Sequence, residues 1–480
     1  MSRQCPIASV ALTAPGRVAL QTAGRRWSYA QLDAWTARYA QALAGRGVEA
    51  GARVAILSTN REELVPLLFA LWRLGAVAVM LNARLTAAEL AAQVETARPS
   101  LKIAEASLAD RVEGAVALES LEAEHLPPLP TPSAADAPAA ILFTSGTTGK
   151  AKAAVLTWEN FAAAARASAA NIGGGAEDAW LLCLPLFHIG GLSMLVRAAI
   201  YGCRLVLQPR FDSREVVRAF DQDRITHASL VAVGLQRLVD ERGATPFPEG
   251  IRAVLVGGGP VSAELLARAR SLRLPVLQTY GLTEACAQVT TEVPSEADGT
   301  TAGVPLPGNE LRIVDGEGVS LPPGAIGEIE LRGPTVMAGY FGDESETHQT
   351  LWKGWLRTRD LGTLDARGRL RVFSRRTDLL VSGGENVYPA EIEAVLLTLP
   401  GVREAAVIGV EDARWGQVPL AIVAAAEPLD PEELAAACRQ RLAGYKIPHR
   451  FLQVVELPRN AMGKVDRRAL RLLATPISGF

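Results

Sequence analysis

The sequence is poor in three features that would otherwise fix its class. Its cysteines form no C-x-x-C pair, which fits reduced thiols better than a disulfide framework or a zinc site; they are Cys5, Cys183, Cys203, Cys286 and Cys438. Its net charge of −2 argues against a broad nucleic-acid or acidic-membrane surface. Its most apolar run, LVPLLFALW, ends at Arg73 and is too short to cross a membrane. We therefore expect no nucleic-acid partner and no membrane span.

The rest of the composition is that of a soluble globular protein. The chain has 480 residues, of which 49% are hydrophobic and 21% charged, enough for a sizeable core and for two or three domains. Its first residues, MSRQCPIASVALTAPGR, lack the apolar core of a signal peptide. A cytoplasmic location is therefore expected, and a homo-oligomer is left open.

Strand-like apolar runs alternate with longer helical stretches between about residues 27 and 310, which predicts layered α/β structure. Examples of the runs are RVAILS (53–58), AVAVMLN (76–82), AAILFTS (139–145), RLVLQ (204–208) and IRAVLVGG (251–258). The Pro/Ala-rich residues 127–140 indicate a connector between two lobes. Short strands and turns follow residue 310. We predict a large multi-layer N-terminal domain with sheets and helices, residues 1–376, and a small mobile α+β C-terminal domain, residues 377–480.

The string TSGTTGKAK follows a predicted strand and combines flexible glycines with hydroxyl and ammonium groups. Such a loop can wrap phosphate oxygens, although a solvated turn is the simpler alternative. It is not a Walker A loop, because Thr144 and Ala151 stand where that pattern needs Gly and Ser or Thr.

Three further strings carry groups suited to a nucleotide. In QTYGLTEACAQVTT, Tyr280 offers an aromatic face, and Thr283 and Glu284 offer a hydroxyl and a hard carboxylate for phosphate and Mg²⁺. In GWLRTRDLG, the Asp360 carboxylate can accept both hydroxyls of a ribose. In PRNAMGKVDRRAL, Lys464 stands in a short glycine-containing turn, where a plain surface charge is the usual role.

These motifs occur in the order typical of the adenylate-forming superfamily, and the chain resembles this family, the acyl-CoA synthetases and their relatives, from about residue 27 to 470. The resemblance implies that a carboxylic acid reacts with Mg-ATP to give an acyl-adenylate and pyrophosphate. In the ligase branch, coenzyme A then displaces AMP to give a thioester. The implied cofactors and co-substrates are ATP, Mg²⁺ and coenzyme A.

The resemblance also implies a role for individual residues. The β- and γ-phosphates would be held by Thr144, Ser145, Gly146, Thr147, Thr148, Gly149 and Lys152. The adenine would be framed by Gly257, Gly258, Gly259, Pro260, Gln278, Thr279 and Tyr280. Thr283 would contact the α-phosphate, Glu284 would bind Mg²⁺, and Asp360 and Arg375 would bind the ribose.

The small domain is expected to serve both half-reactions. Lys464 would contact the carboxylate and α-phosphate during adenylation, as a fixed cation facing developing negative charge. The domain would then rotate and bring in the loop that lines the pantetheine channel. That loop consists of Ser382, Gly383, Gly384, Glu385 and Asn386.

Four positions depart from the family pattern. Ala151 and Ala153 replace the Pro and Gly that usually flank the phosphate-loop lysine, and Arg359 replaces the Gly before the ribose Asp. The hinge position, commonly Asp or Lys, is Thr377, with Asp378 beside it. None of these departures removes a catalytic group.

Arg197 lies within the apolar run IGGLSMLVRAAIY, with no Asp or Glu between Asp178 and Asp212. A fixed cation at an acyl pocket would suit a second carboxylate on the substrate, and a salt bridge to a distant acid is the alternative. The strings LPLFHIGGLSMLVR, ITHASLVAV and YGLTEACAQVTT most resemble the o-succinylbenzoate–CoA ligases of menaquinone biosynthesis, which implies the substrate role. The expected substrate-binding set is His188, Gly190, Gly191, Arg197, Ser229 and Gln288.

Other functions stay open at this stage. A ligase for an aryl or medium-chain fatty acid would make Arg197 structural, and a stand-alone adenylation protein would load a carrier-protein thiol. A regulator that keeps the fold without catalysis is disfavoured because Glu284, Asp360 and Lys464 are all present.

Overall fold

The computed structural model describes residues 5–121, 136–144, 151–259, 261–375, 380–382, 385–387, 389–412, 415–442, 444–460 and 463–474. Several helices begin at capping boxes, in which Ser28, Thr86 and Thr157 exchange hydrogen bonds with the third helical residue. The helices are α1 (Pro6–Thr13), α2 (Tyr29–Ala44), α3 (Leu64–Arg73), α4 (Ala87–Ala97), α5 (Trp158–Ile172), α6 (Ile189–Tyr201), α7 (Ser213–Gln222), α8 (Ala232–Arg242), α9 (Ala263–Ser271), α10 (Glu344–Thr350), α11 (Pro389–Leu396), α12 (Pro431–Arg441) and α13 (Arg467–Ala474).

The strands up to residue 305 are mostly short apolar segments between these helices. They are β1 (Val18–Gln21), β2 (Arg26–Ser28), β3 (Arg53–Leu57), β4 (Val77–Leu81), β5 (Leu101–Ala104), β6 (Val116–Ala117), β7 (Pro138–Thr144), β8 (Lys152–Thr157), β9 (Ala179–Leu182), β10 (Arg204–Leu207), β11 (His227–Val231), β12 (Ala253–Gly257), β13 (Val276–Leu282), β14 (Ala287–Thr291) and β15 (Val304–Pro305).

The later strands include long antiparallel ones. They are β16 (Glu310–Val314), β17 (Gly327–Arg332), β18 (Gly339–Tyr340), β19 (Leu351–Trp352), β20 (Trp355–Leu364), β21 (Leu370–Arg375), β22 (Leu380–Ser382), β23 (Glu385–Val387), β24 (Glu404–Asp412), β25 (Gly416–Ala424) and β26 (Arg450–Val454).

Two sheets and the helices around them form the large layered part. One sheet has the order β15-β14-β13-β12-β11-β9-β10-β1-β2, and its strands from β13 to β1 run parallel. The other has the order β18-β8-β7-β4-β3-β5-β6. A continuous cluster of buried apolar residues draws on both sheets and on α2, α3, α5 and α6. Such continuous apolar strands are typical of parallel sheets covered on both faces.

The remaining strands form two five-stranded sheets. One has the order β16-β17-β20-β19, with β21 pairing β20, and the other has the order β23-β22-β25-β24, with β26 pairing β25. In the latter sheet, Val407 and Ala421 pack with α11 and α12, whereas Ile408 and Leu420 pack with α13. The alternation of side chains along each strand therefore buries both faces.

The chain forms two units. The first comprises Met1–Gly259, Arg268–Leu311 and Leu331–Arg357, and the second comprises Pro260–Ala267, Arg312–Glu330 and Thr358–Phe480. The predicted fold class, a large α/β part of several sheets plus a smaller α+β part, is confirmed. One expectation is wrong: the described strands on either side of residues 127–140, β6 and β7, belong to one sheet, so this stretch does not connect two lobes.

Candidate active site

A hairpin carries the predicted phosphate loop. β7 and β8 pair antiparallel, with Thr144 directly opposite Lys152. Ser145, Gly146, Thr147, Thr148 and Gly149 lie outside the described residues. Thr144 and Lys152 therefore mark the two ends of the predicted loop at the tip of the hairpin.

The predicted adenine-framing residues lie at the carboxyl ends of neighbouring parallel strands. Gly257 ends β12, Gly258 and Gly259 follow it, and Gln278, Thr279 and Tyr280 lie on β13; Pro260 lies outside the described residues. In open α/β sheets, ligands bind in the crevice outside these strand ends.

Two of these side chains hold the local backbone together. Gln278 Nε2 donates a hydrogen bond of 3.2 Å to the Thr301 carbonyl, and Thr279 Oγ1 donates one of 2.8 Å to the Thr290 carbonyl. Tyr280 is the aromatic residue of this group, and its ring face is suited to stack on a base.

A tight turn presents Thr283 and Glu284. Both belong to a 3-10 turn, Thr283–Ala285, which joins β13 to the antiparallel β14. Gly281 is needed just before this turn, because a Cβ there would lie 1.5 Å from the Ala287 carbonyl oxygen. Cys286 and Ala287 adopt left-handed φ angles of 54° and 82°. Backbone of this kind is costly and is concentrated at functional sites.

Tyr340 contacts both Lys152 and Glu284, and Glu346 pairs with Lys152; no sequence motif points to either Tyr340 or Glu346. Lys152 Nζ lies 2.6 Å from Glu346 Oε1 and 5.4 Å from the centre of the Tyr340 ring. Tyr340 Oη donates a hydrogen bond of 2.9 Å to Glu284 Oε1. The structure therefore brings the lysine of the phosphate motif over the ring of Tyr340 and the carboxylate of the magnesium motif to the hydroxyl of the same tyrosine.

Strand pairing explains why Tyr340 reaches this position. β18 pairs with β8, with Tyr340 opposite Ala154. Burial and the nearby Glu284 carboxylate raise the pKa of Tyr340 well above its usual value, so its hydroxyl stays protonated and donates to Glu284.

Helix α6 carries the predicted acyl-pocket residues. His188 is its N-cap residue, and its ring lies 4.7 Å from that of Phe187 in an edge-on arrangement. Gly190 and Gly191 form the first turn. A Cβ on Gly191 would lie 2.3 Å from the Pro185 carbonyl oxygen, so only glycine lets the helix pack this closely on the preceding loop.

Arg197 is buried without an acidic partner. Its side chain is on α6, the residue is 2% exposed, and no Asp or Glu among the described residues forms an ion pair with it. Its Nε has no hydrogen-bond partner within that same part of the chain. Its Cζ lies 5.0 Å from the centre of the Trp180 ring. Burial lowers the pKa of the guanidinium, but arginine remains charged in proteins.

Asp178, which precedes β9, is engaged by other residues. Asp178 Oδ1 lies 3.0 Å from Arg252 Nη1, and Asp178 Oδ2 accepts a hydrogen bond of 2.8 Å from the Gly175 amide. The salt-bridge alternative for Arg197 therefore finds no partner among the described residues. A buried, unpaired cation is expensive, and an anionic ligand would relieve that cost.

Ser229 and Gln288 lie on the strands of the same sheet. Ser229 is half-buried on β11. Gln288 on β14 is buried, and its Nε2 donates a hydrogen bond of 3.1 Å to Thr291 Oγ1, while its Oε1 has no partner among the described residues. Neighbouring Cys286 is fully buried, and burial raises the pKa of its thiol, which fits a packing residue rather than a nucleophile.

In the second unit, Asp360 and Arg375 face each other across a strand pair. Asp360 on β20 is in register with Arg375 on β21. Arg359, which replaces the family's glycine, has a φ of 60°. This is the left-handed region that glycine adopts without cost, so the departure carries backbone strain.

The other predicted residues of the second unit lie in two turns. β22 and β23 form a hairpin with Ser382 opposite Glu385. Gly383 and Gly384 lie outside the described residues, as does the hinge position Thr377; Glu385 and Asn386 belong to β23. Lys464 is exposed, and its amide donates a hydrogen bond of 3.1 Å to Asn460 Oδ1.

Neither a metal-binding cluster nor a membrane-spanning helix occurs among the described residues. No group of three or more His, Cys, Asp or Glu side chains there could hold a metal by itself. Mg²⁺ bound through one carboxylate and nucleotide phosphates needs no such group. No described helix is long and apolar enough to cross a membrane.

Comparison with known proteins gives full-length similarity. Residues 7–341 match the AMP-binding enzyme family, and residues 391–464 match the AMP-binding enzyme C-terminal domain. The 2-succinylbenzoate–CoA ligase of Bacillus licheniformis is 41% identical over 466 residues, covering 95% of this chain and 97% of that protein. That of Bacillus cereus is 39% identical over 478 residues, covering 96% and 97%.

Solved structures of related enzymes are similar to this chain over nearly its whole length. The o-succinylbenzoate CoA synthetase (MenE) of Bacillus subtilis in complex with the acyl-adenylate intermediate OSB-AMP superposes with a TM-score of 0.92 at 39% identity, covering 97% of this chain and 98% of that one. ATP-bound MatB from Rhodopseudomonas palustris gives a TM-score of 0.92 at 30% identity, with both chains fully covered. The chain belongs to the AMP-binding enzyme family.

Proposed function

We propose that this protein is an ATP-dependent 2-succinylbenzoate–CoA ligase. In the first half-reaction, one substrate carboxylate attacks the α-phosphorus of ATP, giving the acyl-adenylate and releasing pyrophosphate. In the second, the thiol of coenzyme A attacks the acyl carbon, giving the thioester and releasing AMP. The full-length similarity to 2-succinylbenzoate–CoA ligases supports this assignment, as does the OSB-AMP bound in the related structure. The reaction would be a step of menaquinone biosynthesis.

The observation that carries the choice of acid is the buried Arg197. The only anionic group of a monocarboxylate is the one that reacts with ATP, so a monocarboxylate leaves this guanidinium unpaired. A dicarboxylate has a second carboxylate to offer, and a charge-assisted contact with arginine is among the strongest hydrogen bonds available. The unpartnered state of Arg197 among the described residues therefore favours a diacid.

Other residues of the chain would bind the nucleotide, the magnesium ion and coenzyme A. Thr144 and Lys152 flank the loop that would hold the β- and γ-phosphates. Glu284 offers a hard carboxylate of the kind Mg²⁺ prefers, oriented by Tyr340. Magnesium bound there would offset phosphate charge. Asp360 and Arg375 would bind the ribose, Lys464 would face the α-phosphate during adenylation, and residues 382–386 would line the path of the CoA thiol.

A cytoplasmic location belongs to the same proposal. All five cysteines are free thiols, and ATP and CoA are intracellular substrates. Reduced thiols are the rule in a reducing compartment.

An acid panel tests the assignment. Purified protein would be incubated with Mg-ATP, free CoA and one of 2-succinylbenzoate, benzoate, coumarate, octanoate or palmitate, and the soluble thioester would be measured. We expect 2-succinylbenzoate to give the highest kcat/KM by at least about two orders of magnitude, which is the discrimination that an unpaired buried charge can supply. Preference for a monoacid, or adenylate formation without a CoA thioester, would overturn the proposal.

A further inference from the structure

Trp180 and Arg197 form a buried pair whose role the reaction scheme does not explain. Trp180 lies on β9 and is fully buried, and its Nε1 has no hydrogen-bond partner among the described residues. The Arg197 guanidinium lies over the indole ring at 5.0 Å. A buried tryptophan normally finds a partner for its N–H, so this indole is placed for its ring face rather than for its N–H.

The other ring beside Trp180 is held as a neutral group. His227 on β11 is in register with Trp180 on β9, and the two rings are stacked at 4.7 Å with an interplanar angle of 9°. His227 Nε2 lies 3.2 Å from the Ile172 carbonyl oxygen, so it must donate, and Nδ1 accepts from Thr226 Oγ1 at 2.8 Å. Both ring nitrogens are therefore satisfied without a second proton.

Within the described part of the chain, no carboxylate forms an ion pair with the Arg197 guanidinium. Asp178 lies 3.9 Å from His227 Nδ1, but its carboxylate is engaged by Arg252 and the Gly175 amide. Among the described residues, the aromatic face of Trp180 is the attractive partner that Arg197 has in place of an acid. A cation–π contact is stronger in a desolvated site than at an exposed one.

We propose that Trp180 is a positioning residue for acid selection. Its indole face takes the place beside the Arg197 guanidinium that an internal carboxylate would otherwise occupy. The positive charge therefore stays available for the second carboxylate of the substrate. This inference rests on the proposed function. Without the ring, the guanidinium would turn toward other polar atoms, and substrate binding would have to restore its position.

The test compares Trp180→Leu and Trp180→Phe with the wild type in the full-length protein. We expect Trp180→Leu to raise the KM for 2-succinylbenzoate about tenfold or more and to leave the KM for ATP within about twofold, since a tenfold change requires only part of a desolvated cation–π contact. Trp180→Phe keeps a ring face and should lie between. Trp72→Phe is the matched control, because Trp72 is also buried in the first unit but donates to the Ala139 carbonyl.

Loss of packing alone would lower the thermal midpoint and the active fraction without moving KM, as expected for Trp72→Phe. If Trp180→Leu does not fold, fluorinated tryptophans introduced at position 180 alone would weaken the ring face at nearly constant size, and the KM for the diacid should rise with each added fluorine. An unchanged or lower KM across these variants would overturn the inference. Wild-type protein that makes no 2-succinylbenzoyl thioester would instead overturn the proposed function itself.

Discussion

Lys152 and Glu346 form a short ion pair of 2.6 Å, although 194 residues separate them in the sequence. Both side chains are largely buried, at 13% and 17% exposure. Thr350 Oγ1 donates a further hydrogen bond of 3.0 Å to the same carboxylate oxygen of Glu346. If Lys152 binds nucleotide phosphates, its ion pair with Glu346 competes with that contact. ATP then has to displace the Glu346 carboxylate from the lysine.

We therefore expect Glu346→Gln to bind Mg-ATP about fivefold more tightly, a gain of about 1 kcal/mol, because the internal competitor for Lys152 loses its charge. Isothermal titration with Mg-ATP in the absence of acid measures this. Glu344→Gln, on the same helix, is the control and should leave the affinity unchanged. Weaker binding by Glu346→Gln would show instead that Glu346 orients Lys152 for the phosphates.

Lys464→Ala is expected to slow ATP–pyrophosphate exchange by about 10²–10³-fold, because a fixed cation facing the developing negative charge is lost. The dissociation constant for ATP should change little. Arg468→Ala removes an exposed cation from the neighbouring helix α13 and should have no such effect. Near-normal exchange by Lys464→Ala would remove this residue from the adenylation step.

Arg359→Gly should stabilise the protein by about 1 kcal/mol, because a non-glycine residue in the left-handed region costs roughly that much. The midpoint of urea unfolding measures the change. Arg357 lies on the same strand without a positive φ, so Arg357→Gly should move the midpoint in the opposite direction. A lower midpoint for Arg359→Gly would mean that contacts of the arginine side chain outweigh the backbone strain.

Several strands of the layered part could be predicted because each is a short, continuous apolar run. The runs at 53–58, 76–82 and 204–208 correspond to β3, β4 and β10 within two residues at either end. Buried parallel strands leave this signal without help from distant residues. The connector at 127–140 could not be assigned in the same way, because sheet order depends on pairings that composition does not record.

The candidate site could be predicted only in part, because strand pairings between distant segments also determine which residues meet there. Thr283, Glu284 and Lys152 stand in strings whose chemistry points to phosphate, whereas Tyr340 and Glu346 stand in GYFGDESE, which gives no such signal. Their position follows from the pairing of β18 with β8. Arg359 could be recognised as a departure from the family, but its strain became apparent only from its φ angle.

His227 predicts a pH dependence of stability. Burial lowers the pKa of this imidazole below its ordinary value of 6.5, so the unfolded chain binds more protons than the folded one as the pH falls. The stabilisation is fully present above pH 6.5 and is lost below it, with a slope of up to about 1.4 kcal/mol per pH unit.

Urea unfolding between pH 5 and 7.5 measures this slope. His227→Gln should flatten it, because the titrating group is removed, whereas His348→Gln, at an exposed position on α10, should not. An unchanged slope in His227→Gln would show that other groups carry the acid sensitivity.

The most direct measurement of the central claim is a cycle between Arg197 and the acid. Wild type and Arg197→Ala would each be assayed for thioester formation with 2-succinylbenzoate and with the monoacid that keeps its reacting carboxylate and lacks the other one. We predict that Arg197→Ala lowers kcat/KM for the diacid by about 10²-fold or more, as expected when one partner of a buried charge pair is removed. It should lower kcat/KM for the monoacid lacking the partner carboxylate by no more than about threefold, because that contact is already absent. An equal loss with the diacid and with this monoacid would contradict the account and make Arg197 a structural residue.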